Sequence, residues 1–160
     1  MLTYGCECGF FSGCPPSSDE LISEYFVEAA IKPGCKIEYS WTGGRDGYKV
    51  FGVLFCPSNI RDKIIQAAQP WDECLVDIEY EDSLRNLDCG LFNFKGLFES
   101  SIQNSFDPPQ WFPLTYQGIW TIYDAEVEPP KDDHHFHRCT LYYHENSGKL
   151  YFLIAKGRYP

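Results

Sequence analysis

Basic residues are scarce in this 160-residue sequence, where 13 Lys and Arg stand against 23 Asp and Glu for a net charge of −10. No stretch gathers cations onto one face. A duplex binder needs several of them to displace condensed counterions, so nucleic acid is not expected as a partner. Attachment to an anionic membrane surface is disfavoured on the same ground. Long apolar runs are missing as well. The longest, Val50 to Cys56, holds seven residues including Gly52, far short of the roughly twenty that cross a bilayer. The opening stretch Met1 to Phe11 has no cationic segment, and Glu7 interrupts it, so no secretory leader is expected. On that reading the protein stays in the cytoplasm, where its eight cysteines are mostly reduced thiols.

Signatures of catalysis and cofactor binding are absent too. Gly43-Gly44-Arg45-Asp46-Gly47 joins two strands instead of opening a helix, so it lacks the amide-lined helix start that cradles phosphate. There is no G-x-S-x-G elbow and no H-E-x-x-H helix. No internal repeat or low-complexity tract occurs. With one Met against 27 Tyr, Phe and Trp, the core must be built largely from planar rings.

What is present reads as one domain over residues 1–160, with residues 1–16 irregular around Gly5, Gly9, Gly13 and Pro15-Pro16. Ser17 and Glu20 form a capping box. Leu21, Ile22, Tyr25, Phe26, Ala29 and Ala30 then recur at helical spacing, which predicts a helix over 17–32 ended by Pro33-Gly34. Ile37, Tyr39 and Trp41, then Phe51, Val53 and Phe55, alternate as two strands joined by a turn. Val50 and Leu54 make the second of these apolar on both sides, hence central. Pro57 opens a second helix with Ile60, Ile64, Ile65 and Ala68 on one side. Further strands are expected around Val76–Tyr80, at 90–98, 117–127, 137–144 and 149–156, the last two flanking a hairpin turn at Glu145-Asn146-Ser147-Gly148. The order predicts an α+β fold, a largely antiparallel sheet with two helices packed on one face.

Three groups of residues invite a chemical reading. On a strand starting at His135, the two-residue period places His135, His137 and Cys139 on one side, a donor set suited to zinc or another transition metal and the basis of an alternative reading as a small metal-dependent hydrolase. His144 falls on the other side. Cys6, Cys8, Cys14 and Cys35 lack the paired C-x2-C knuckles of a structural zinc site and read equally as buried thiols or a disulfide. Cys56, before the second helix, is the best-placed single nucleophile, without an assignable base.

The third group is the largest. Asp72, Glu73, Asp77, Glu79, Glu81 and Asp82, with Asp124 and Glu126 farther on, include acids that alternate along predicted strands and have Trp71 and Tyr80 as aromatic neighbours. These ten residues are the candidate partner-binding set. The expected function is that of a non-catalytic binding protein, an inhibitor or immunity-type factor that occludes a basic protein partner without a cofactor. Sequestration of a small ligand between aromatic walls is the other binding alternative.

Overall fold

The computed structural model describes residues 15–26, 35–44, 47–55, 60–67, 71–83, 109–112, 115–127 and 135–158. They form mostly a six-stranded antiparallel sheet with two short helices, α1 (Ser18–Tyr25) and α2 (Ile60–Ala67). The strands are β1 (Lys36–Gly44), β2 (Gly47–Phe55), β3 (Asp72–Ser83), β4 (Thr115–Glu126), β5 (His135–His144) and β6 (Lys149–Arg158). Their order across the sheet is β1-β2-β6-β5-β4-β3, which puts β2 inside and leaves β1 and β3 at the margins. The strand expected at 90–98 and the cysteines 6, 8, 14 and 56 lie outside the described residues.

The start of α1 is set locally. The Ser17 hydroxyl accepts from the Glu20 amide at 3.2 Å, and the Glu20 carboxylate accepts from the Ser17 amide at 2.6 Å. Two of the amides that the first turn leaves without partners are thereby satisfied. The helix ends earlier than its apolar spacing predicts. Phe26 adopts extended backbone at φ −123° and ψ 142°, and its ring meets Phe152 edge-on at 5.2 Å. Core contact overrides helical continuation here.

Register runs unbroken across the central strands, so alternate residues sort onto two faces. On the first face Tyr39, Gly52, Phe152, Leu141, Tyr123 and Glu73 stand opposite one another from margin to margin. Leu21 and Tyr25 of α1, Phe26 directly after it and Ile64 of α2 share one buried cluster with residues of this face. On the second face Phe51, Trp120, Ile122, Phe136, Tyr142, Leu153 and Ala155 form another cluster, closed by Phe112 from the turn at 109–112. Phe112 lies edge-on to Phe51 at 4.8 Å and to Tyr142 at 5.9 Å. Lys49 to Leu54 are consequently all buried, as expected of a central strand.

Gly52 is where backbone and ring meet most closely. A Cβ there would stand 1.9 Å from the Phe152 ring, so the aromatic side chain fills the space that glycine leaves open on the neighbouring strand. Gly52→Ala therefore drives Phe152 off Phe26. Overpacking of this kind costs about 2 kcal/mol, which at roughly 2–4 °C per kcal/mol for a domain of this size lowers Tm by about 4–8 °C in a thermal melt.

Candidate functional site

β3 carries most of the predicted acids, and it lies at the margin of the sheet. Asp72 pairs with Asp124, Glu73 with Tyr123, Leu75 with Thr121 and Asp77 with Ile119. Alternation then divides the acids. Glu73 and Asp77 share the first face with Leu75, whereas Asp72 shares the second with Asp124 and Glu126. Farther along, the register slips between Ile78 and Asp82. Glu79, Tyr80 and Glu81 fall within that irregularity. Among the described residues the acids of β3 and β4 thus divide between two faces.

Asp124 is not on an exposed face. It is 2% exposed, held by the Arg138 guanidinium through Nε at 3.0 Å and a second, shorter nitrogen contact, and by the Thr140 hydroxyl at 2.9 Å. The sequence placed it in a surface patch because its neighbours are acidic. The cross-strand placement of Arg138 and Thr140 on β5 is what neutralises it. Buried Lys49 belongs to the same face, and burial lowers its pKa. Glu126 remains exposed. Trp71 packs against the first-face cluster, with its indole N–H buried.

The first face ends openly at β3 and β4. Leu75 is 68% exposed and Ile119 39% exposed, diagonal neighbours across the two strands, with exposed Glu73 and Asp77 to either side of Leu75. Arg61, near the start of α2, ties that helix to the end of β5. Its guanidinium lies 4.1 Å from the centre of the Tyr143 ring and donates to Glu145 at 2.8 Å, and the same Glu145 oxygen accepts from Thr121 at 2.6 Å. Thr121 is covered and Leu75, its partner on β3, is not.

Sequence reasoning missed both Leu75 and Ile119. Leu75 has the parity of Asp77, which placed it on the acidic side from the outset. Arg61 left no local signal, since its partner Glu145 is 84 residues away.

His135, His137 and Cys139 alternate onto the first face as their spacing predicts. His137 is turned to another use. Its Nε2 lies 2.6 Å from the Tyr25 hydroxyl, which lies 2.6 Å from the hydroxyl of Tyr48, so the imidazole helps join α1 to β2 and β5. Burial first, then the Asp124 carboxylate, push the Cys139 thiol well above its ordinary range, so it stays protonated and is a poor ligand or nucleophile. Among the described residues no three His, Cys, Asp or Glu side chains converge in a way that could hold a metal. His144 stacks on Trp120 at 4.4 Å on the second face. Cys35 is bound in a disulfide, as is Cys74, so neither is the reduced thiol expected from sequence, and Cys35 is not free to ligate zinc.

Two outcomes follow for stability. Arg138→Met leaves the Asp124 carboxylate buried without its cation and costs about 3–5 kcal/mol by denaturant unfolding, most of which is recovered when Asp124→Leu is added. The Cys139 thiol sets an alkaline limit. With its native pKa raised above the unfolded value near 8.5, its stabilising contribution is complete below about pH 8.5 and is lost as pH rises. Wild type loses stability over Cys139→Ala by up to about 1.4 kcal/mol per pH unit above that point, and parallel curves for the two proteins between pH 7 and 10 would exclude the effect. Lys49 titrates in the opposite sense but is common to both proteins.

Among the described residues no helix is long and apolar enough to cross a membrane. No protein-family model, curated protein or solved structure matches the chain.

Proposed function

We propose that the chain is a non-catalytic binding protein whose contact surface is the open end of the first face, formed by Glu73, Leu75, Asp77 and Ile119. On this reading the domain is α+β, and the helices α1 and α2 occupy one part of a sheet face while the rest receives a partner. The observation that carries it is Leu75, 68% exposed and flanked along the same strand by two exposed carboxylates. An apolar side chain so exposed at a sheet margin, rimmed by charge of one sign, is the pattern of a contact site.

The chemistry selects a cationic partner with apolar residues between its charges. A net charge of −10 raises the rate of encounter with such a partner. Glu73 and Asp77 engage Lys or Arg, and Leu75 and Ile119 supply the water-excluding contact. Occlusion of a basic protein, as an inhibitor or immunity-type factor does, is the role that suits this combination.

A defined probe tests it. A labelled extended peptide alternating Lys with Leu is titrated by fluorescence anisotropy, beside a matched peptide carrying Glu at the Lys positions. The Lys peptide is expected to bind, to weaken as salt rises from 50 to about 300 mM, and to lose at least about tenfold in affinity for Glu73→Lys/Asp77→Lys. Leu75→Asp is expected to weaken it comparably, with the fold intact by circular dichroism. Equal binding of the two peptides, or indifference to all three substitutions, would sink the reading.

A further inference from the structure

Three cysteines are described, and they are in two chemical states: Cys139 keeps a free thiol in the core, while Cys35 and Cys74 are disulfide-bonded. Position decides how many bridges this means. Cys35 directly precedes β1 and Cys74 lies in β3, the two opposite margins of the sheet with four strands between them. Five interstrand spacings of about 4.8 Å separate those margins, whereas a disulfide requires Cα atoms within about 7 Å. Cys35 and Cys74 thus belong to two separate bridges, whose partners lie outside the described residues.

We infer that this protein is matured by thiol oxidation and resides in an oxidising compartment, with one disulfide anchoring each margin of the sheet. Each bridge forms as two thiols give up two protons and two electrons to a disulfide oxidoreductase or glutathione disulfide, whose own disulfide is reduced to two thiols. A reducing cytoplasm opposes that step. The placement has a physical use. Marginal strands carry backbone groups that no neighbouring strand satisfies and are where sheets fray or pair with other chains. A covalent tie at β1 and another at β3 hold the two strands that stand at the margins among the described residues.

Parity adds a second consequence. The chain has eight cysteines, and setting aside Cys139 leaves seven, an odd number, so at least one more cannot pair within the chain. Two internal bridges leave four thiols, and three leave two.

The test is independent of the binding face. Full-length protein isolated from its own source, with free thiols blocked at lysis, is denatured without reductant, alkylated and weighed. Two or four alkylated cysteines are expected, Cys139 among them, rising to eight when reductant precedes alkylation. In a non-reducing digest, the fragments that contain Cys35 and Cys74 are expected in cross-linked species that separate on reduction, a readout that needs no folded variant. Cys35→Ser and Cys74→Ser should each lower Tm by roughly 5–10 °C in the unreduced protein and by much less once both proteins are reduced. Alkylation of all eight cysteines without reductant, or recovery of Cys35 and Cys74 as alkylated linear fragments, overturns the proposal.

Discussion

Everything in this molecule follows from a sheet whose central strands are apolar on both sides. β2, β6 and β5 send Val50, Ile154, Cys139 and Leu141 one way and Phe51, Leu153 and Tyr142 the other, all of them buried. Neither face can be left to water. Leu21 and Tyr25 of α1, Phe26 just after it and Ile64 of α2 join one cluster, and the turn at 109–112 contributes Phe112 to the other. At the margins, Leu75 of β3 is exposed, and Cys35 and Cys74 are disulfide-bonded.

Polar side chains inside such a sheet need partners from other strands. Asp124 is satisfied from β5 by Arg138 and Thr140, and the Nε2 of His137 is partnered from α1 by Tyr25. Replacing protein–water contacts by directed bonds in a low-dielectric setting makes these residues locate strands and helices against one another. The same burial removes them from chemistry with solvent. A histidine and a cysteine that look like metal ligands along the chain serve packing once α1 is in place.

Charge was the feature most prone to misreading. Acids close in sequence around Asp72–Asp82 suggested one coherent surface, yet a pleated strand sends neighbours to opposite sides, so Asp72 and Glu73 do not share a face. Among the described residues Glu73 and Asp77 share one face with Leu75 between them, so that group has an apolar centre.

Much of the local structure was legible because its causes are local. The capping box at Ser17 and Glu20, the two-residue alternation of β1 and β2, the strands β4, β5 and β6, and the hairpin turn ending at Gly148, which adopts φ 69°, all depend on residues a few positions apart. Composition alone determined the acidity and the aromatic core. Only the tertiary structure decided which charges are solvated, where α1 ends, which cysteines are oxidised and which part of the first face stays open. Those outcomes rest on contacts between distant positions, such as Arg61 with Glu145 or Phe26 with Phe152. A linear pattern holds no record of such distances, because they exist only once the chain has closed on itself.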